Sequence, residues 1–545
     1  MSLRRLSLLL VPVCATWLGC AGADPSAEEM NSQEVVQADP REGTAVFTDE
    51  PLLPGCGEAD GGTDAGTLDT SVLVTADTRF HASNGTVTAV PKSLAGQDLE
   101  LLIPQPNGIG FDRRTGTPVT GGMRFDNVPQ GEYFLRLSRH YFLTRERRFD
   151  LGVNRVGRAD AVHPPSVELP VQVDFSQLTP WQLYTGLTNP GSSLQVTSGD
   201  VDVLANLYFY SSEPPEGATS YSSTDGYMEN PITPLPVLSA AKGDRLYVNQ
   251  LSATTAGTTP SSGAPLTYAA VSKSLHMPAF DYTPDGASFL SLSGLMQQPP
   301  QTSFSLEWRL AEFTRWRTDA NPSASLNYPA FSVVPAANGL QNGWVGYQGE
   351  LLDMYLPRGE DGVLTRRLAF GNPYPSTWGV VGNASYSFRA SSAVVVNGRT
   401  FYPSGSFYMT DRLDRLVAGP IQPDISPPRE MRIDGVDAYV SRQVGANQPV
   451  VSWRPPVLGT PRAYVVTLVL LPTDNFVTVT TRFTVPGDRT QLRLPPDLLA
   501  PGSTYYLRVG ADGSPNYEPW RAPYITAELL PSSRAETFSA AFTTP

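Results

Sequence analysis

The densest concentration of groups able to do chemistry lies between residues 307 and 378. Glu307, Trp308, Glu312, Trp316, Trp344, Tyr347, Glu350, Asp353, Tyr374 and Trp378 bring aromatic rings and carboxylates into one stretch of chain. Exposed ring faces beside acids can hold sugars, and two carboxylates about 5 to 10 Å apart in one cleft can hydrolyse a glycosidic bond. A plainer reading competes. Phe304, Leu306, Trp308 and Leu310 alternate as one buried strand face, which puts Glu307 and Arg309 on the solvated side. Trp316, Trp344, Tyr347, Tyr374 and Trp378 remain as candidate ligand-binding residues for a glycan or a peptide.

Other chemistry is sparse. His81, His140, His163 and His276 are scattered without metal-ligand or triad spacing, so no catalytic residue, metal site or cofactor is assigned. There is no G-x-S-x-G elbow, P-loop, dinucleotide fingerprint or H-E-x-x-H helix. The run from Asp60 to Asp69 has calcium-loop composition but not the EF-hand spacing, and it reads as linker.

Proline (51) and glycine (47) are spread through all 545 residues, a punctuation that fits short strands joined by turns. With 40% hydrophobic residues the chain can build real cores. The net charge of −13 is unevenly placed. Residues 21–70 carry twelve acids against Arg41 alone, whereas residues 71–545 carry 36 bases against 40 acids. An acidic leader on a near-neutral body argues against nucleic acid, which needs a basic face.

The N-terminus reads as an address. Arg4 and Arg5 precede an apolar core, Leu6 to Trp17, that is too short to span a bilayer. The segment ends Trp17-Leu18-Gly19-Cys20, which resembles the lipobox of bacterial lipoproteins, with Trp17 departing from the usual leucine. The resemblance implies cleavage before Cys20 and acylation of its thiol. It further implies a membrane partner through that lipid, with Ala21 favouring the outer membrane of a bacterial envelope. Residues 20–70 then form an acidic disordered tether. Beyond Cys56 there is no cysteine, so the body holds together without disulfides.

Two parts of the body resemble known families. Phe125, Val128, Pro129, Gly131 and Tyr133 match the turn-and-strand signature of carboxypeptidase-regulatory-like and prealbumin-like sandwiches, a resemblance that covers residues 71–160. In the last segment, Val450-Val-Ser-Trp453-Arg-Pro-Pro456 resembles the second strand of a fibronectin type III domain. Leu499-Ala-Pro501-Gly-Ser-Thr-Tyr505 resembles that family's tyrosine corner. Both resemblances imply β-sandwiches whose Trp453 and Tyr505 are structural. Between them, strands are expected at 167–175, 201–210, 245–251, 304–310, 350–356 and 386–396.

The expected fold class is therefore all-β and multi-domain, with Ig/fibronectin-like sandwiches flanking a larger β-rich central region. The layout is signal 1–19, tether 20–70, small sandwich 71–162, central region 163–425 as one or two domains, and a type III-like domain 426–545. The expected function is a non-enzymatic envelope lipoprotein acting as a surface binding, adhesion or scaffold module. One alternative is a secreted carbohydrate-active enzyme. Another is an envelope-assembly component whose type III domain docks a protein by strand addition, which requires an unpaired, uncharged edge strand.

Overall fold

The structure is a computed structural model. It describes residues 70–545 apart from 107–109, 165–168, 212, 230–234, 338–339, 341–342, 344–345, 347, 446–447 and 472–477. The expected signal, Cys20 and the tether lie outside the described residues, as do Trp344 and Tyr347.

Regular structure is almost entirely β. The N-terminal unit is a sandwich. One sheet orders Thr117–Val119, Gly122–Phe125, Val72–Thr75 and Arg148–Asp150, with the last pair parallel. The facing sheet orders Phe111–Thr115, Leu99–Pro104, Tyr133–Leu137 and His140–Thr144. Their alternating inward residues, among them Val72, Val74, Leu101, Phe125, Tyr133 and Leu135, make one core.

The central region holds two units. The first is a seven-stranded sheet closed into a small barrel. Its order is Leu290–Leu295, Val171–Ser176, Ser220–Glu229, Val203–Phe209, Ser193–Ser198, Leu246–Thr258 and Pro265–Met277. A single antiparallel bridge between Ser274 and Gln297 closes it. Val173, Phe175, Val196, Val203, Val248 and Leu292 fill the interior, so this barrel is a packed core. The second unit is a sandwich. Gln301–Arg309 and Val363–Gly371 pair with each other and cover a sheet of Leu352–Tyr355, Ala324–Ala336, Gly379–Ala390 and Ser404–Arg412. Leu306, Trp308 and Leu310 are fully buried, while Glu307 and Arg309 pair with each other at 2.8 Å on the outer side.

The C-terminal unit pairs Val436–Asp437, Arg429–Ile433, Val450–Arg454 and Gln491–Arg493 in one sheet. The other sheet contains Val479–Pro486, Ala463–Leu470, Thr504–Asp512 and Ser532–Phe538. Trp453 is buried edge-on against Tyr464. The Tyr505 hydroxyl accepts a 2.8 Å bond from the Ala500 amide, the backbone tie of a tyrosine corner.

Strand pairing does not stop at the unit borders. Pro265–Met277 of the barrel pairs with Leu352–Tyr355, and Ser404–Arg412 pairs with Ser532–Phe538. Val479–Pro486 pairs in parallel with His140–Thr144 of the N-terminal sandwich. As a result, 21 strands share one hydrogen-bonded network. A further small sheet of Val153–Val156, Asp77–His81 and Val87–Pro91 follows the N-terminal sandwich, and this end of the unit meets the barrel directly, through Arg155–Asp202 at 2.7 Å and Arg158–Asp244 at 2.8 Å. The four units thus contact one another in a closed cycle. Loop 513–531 ties it further, because Asp150 N–H donates to the Arg521 carbonyl while Leu530 packs on Val334 and Val381.

This arrangement weighs against one of the alternatives. Docking by strand addition at the type III-like unit needs a free edge, but both outer strands of its larger sheet are already paired within the chain. The outer strands of its smaller sheet carry Asp437 and Arg493, charges that guard an edge.

Candidate binding surface

The aromatic residues singled out from the sequence do not meet. Trp316 lies beside the Ala324–Ala390 end of the central sheet, half-buried, with the Arg315 guanidinium 4.7 Å above its ring. Trp378 immediately precedes the Gly379 end, opposite Ala336. Thirteen residues of strand separate the two ends, about 40 Å. No single platform can include both.

Tyr374 and Trp378 are buried against the outside of the barrel instead. Alternation along the barrel strands sends Leu194, Val196 and Val248 inward, and Gln195, Thr197, Tyr247 and Asn249 outward. The loop carrying Tyr374 and Trp378 covers that outward patch. From an exposed His276 the rings run inward: His276 stacks on Tyr247 at 4.8 Å, Tyr247 meets Tyr374 edge-on at 5.0 Å, and Tyr374 stacks on Trp378 at 4.5 Å. The Trp378 ring lies so close to Gly199 that a Cβ there would sit 2.4 Å from it.

Several polar groups in this contact are matched. Asn249 Nδ2 donates to the Tyr374 hydroxyl at 2.8 Å, Thr197 Oγ1 lies 2.9 Å from the same oxygen, and Ser274 Oγ donates to Asn249 Oδ1 at 2.7 Å. Burial pushes the Tyr374 hydroxyl far above the usual tyrosine range. The Gln195 amide donates to the Glu350 carboxylate and accepts from the Glu350 backbone at 3.1 Å. Burial, then the nearby Glu350 charge, raises Asp353 to about 8, although its side chain keeps partial solvent contact. Glu312 is paired with Arg315 at 2.7 Å. Tyr374, Trp378 and Glu350 make a domain contact, whereas Glu312 is engaged locally at the other end of the sheet. Among the described residues no group of three or more His, Cys, Asp or Glu could hold a metal ion.

A different part of the same barrel exterior carries three outward tyrosines, of which Tyr210 is exposed and Tyr208 and Tyr227 are half-buried. Tyr208 and Tyr210 alternate outward from Val203–Phe209 and its end, and Tyr227 stands directly opposite Tyr208 on Ser220–Glu229. Tyr227 stacks on Tyr210 at 4.3 Å and lies 5.6 Å from Tyr208. Tyr210 is 64% exposed. Beside it, Asp225 is held below the usual carboxylate range by hydrogen bonds from Ser211 and Ser223. These tyrosines escaped the sequence reading. The signal was available in Leu207-Tyr208-Phe209-Tyr210, whose period-two spacing sends both tyrosines to the face opposite Leu207.

No protein-family profile matches the chain, and no curated protein does. Among solved structures, the FN1–FN3 domains of chicken CNTN1 align at 9% identity with a TM-score of 0.13, covering 68% of this chain and 99% of that one. A streptococcal ancillary pilin aligns at 10% identity with a TM-score of 0.12, covering 65% and 98%. Values this low add nothing to the strand pairing above, from which the β-sandwich and barrel architecture follows.

Proposed function

We propose that the chain is a non-enzymatic lipoprotein of a bacterial envelope, held through Cys20, in which a β body serves as a surface binding, adhesion or scaffold unit. The supporting observation is the strand network. Three unit borders are closed by backbone pairing, which suits a body that must present surfaces at fixed spacing. The acidic leader and the lipobox-like Trp17-Leu18-Gly19-Cys20 supply the anchor in this reading, with the outer membrane as its site.

Intact-mass and fractionation analysis of the natively expressed protein beside a Cys20→Ala variant tests it. Wild type in the membrane fraction, cut before Cys20 and heavier by acyl chains, with the variant soluble, is the expected outcome. Both soluble and unmodified would overturn the anchor.

A second reading, a carbohydrate-active enzyme, draws on the elevated Asp353 beside Glu350. Gln195 engages Glu350 from the barrel, which already gives that carboxylate a structural task. Release of reducing sugar by wild type and not by Asp353→Asn would favour hydrolysis.

A further inference from the structure

The outward tyrosines head a continuous polar face on the barrel. On the outside of Val171–Ser176 stand Gln172 and Asp174, and on Leu290–Leu295 their direct partners are Ser291 and Ser293. Ser222 lies opposite Asp174 and donates to it. A bulge between residues 223 and 226 sets Asp225 between Tyr210, whose amide bonds the Asp225 carbonyl at 3.2 Å, and Gln172. One row therefore crosses four strands from Tyr210 through Asp225 and Gln172 to Ser291. At about 4.8 Å per strand it spans roughly 14 Å. Phe289 and Leu295, 47% and 55% exposed, border the far side.

From this face we infer a binding site for a neutral oligosaccharide, with Tyr210 and Tyr227 as the ring platform and the Gln172–Ser291 and Asp174–Ser293 pairs as hydrogen-bonding partners. Three features carry the inference. The mutual stacking of Tyr210 and Tyr227 fixes the rings, so presenting a flat apolar face costs little conformational entropy. The side chains beside them are hydroxyl, amide and carboxylate groups, which match the dense donors and acceptors of a sugar. Among the described residues of these four outer strand faces there is no lysine or arginine, so a phosphate or sulfate polymer would find carboxylates and no cation. A pyranose, apolar on its C–H face and polar at its rim, fits both halves of such a surface.

The inference names a ligand for the binding role proposed above but does not need the anchor, so fractionation and titration can fail separately. The test is calorimetric titration of the purified full chain with hexasaccharides of glucose, N-acetylglucosamine, xylose and mannose, and with heparin as the polyanion. At least one neutral hexasaccharide should bind with Kd on the order of 0.1 mM, equally at low and high salt. Tyr210→Ala should weaken it roughly tenfold or more and Tyr210→Phe less than about twofold, since the ring rather than the hydroxyl does the holding. Circular-dichroism melts should show both variants folded. Binding of none of the neutral sugars, a salt-sensitive response to heparin alone, or a Tyr210→Ala variant as tight as wild type would each overturn it.

Discussion

The outside of the barrel offers two patches built from the same kinds of residue, with opposite fates. Around Tyr247, Thr197 and Asn249 the outward face is covered by Tyr374 and Trp378, and every polar group just described there has a partner within the chain. On Val203–Phe209 and Ser220–Glu229, Tyr208, Tyr210 and Tyr227 point outward, Tyr210 exposed and the other two half-buried, beside serine, glutamine and aspartate. Residue type does not separate the patches. What separates them is whether a neighbouring loop docks, and the Tyr374–Trp378 loop docks because Gly199 leaves room for an indole. Aromatic and polar residues on an outer sheet face are thus domain glue where they are covered, and where a ring such as Tyr210 is exposed they are the surface proposed above for a ligand.

The sharpest way to break this contrast is at the covered patch. Trp378→Ala removes a buried ring from the contact between barrel and central sandwich, and should cost about 3 to 4 kcal/mol. Chemical denaturation followed by circular dichroism reads this directly. A loss below about 1 kcal/mol would mean that the contact is not closed in solution.

Asp353 sharpens it through pH. This carboxyl lies in the strand that joins the barrel to the central sheet, and its folded-state pKa is raised to about 8. A raised carboxyl favours the fold while protonated, so its contribution is complete below about pH 4 and is lost as pH climbs towards 8. Asp353→Asn stays uncharged throughout. It should match wild type near pH 4 and exceed it by about 2 kcal/mol at pH 8, partial solvent contact holding the gain below what full burial would give. Melting curves across that range measure the gap, and a constant gap would show that Asp353 does not titrate as described.

Tyr374→Phe is a smaller cut at the same place. It leaves Asn249 Nδ2 and Thr197 Oγ1 without the hydroxyl they share, in a site closed to water, and should cost about 1 to 2 kcal/mol while leaving the ring stack intact. Its effect should fall well short of the Trp378→Ala loss. A loss as large would mean that the hydroxyl network, rather than ring packing, holds the two units together.

How much of this was legible in the sequence follows from which forces act locally. Alternation placed Leu306, Trp308 and Leu310 inside and Glu307 outside, because strand period and burial are local facts. The Tyr505 corner was legible because its hydroxyl reaches only a few residues back along the chain. The barrel was not, since its closure depends on pairing Val171–Ser176 with Leu290–Leu295, more than a hundred residues away. The same holds for the strand network. A sequence shows that an edge exists, and cannot show that the edge of one unit will be met by another. Trp316 and Trp378 are near along the chain and not in space for a related reason: an extended strand carries them to opposite ends of one sheet.

The open patch should show the weakest stability effect and the strongest functional one. Tyr210 is mostly exposed and its ring stacks on Tyr227, so Tyr210→Ala removes little buried surface, and its cost should stay within about 0.5 kcal/mol. Set beside Trp378→Ala under the same denaturation assay, the difference should be several-fold. If Tyr210→Ala were instead as damaging as Trp378→Ala, Tyr210 would be acting as a structural contact like Tyr374, and the two patches would not differ in kind. A small cost together with lost sugar binding would show that Tyr210 serves the ligand rather than the fold.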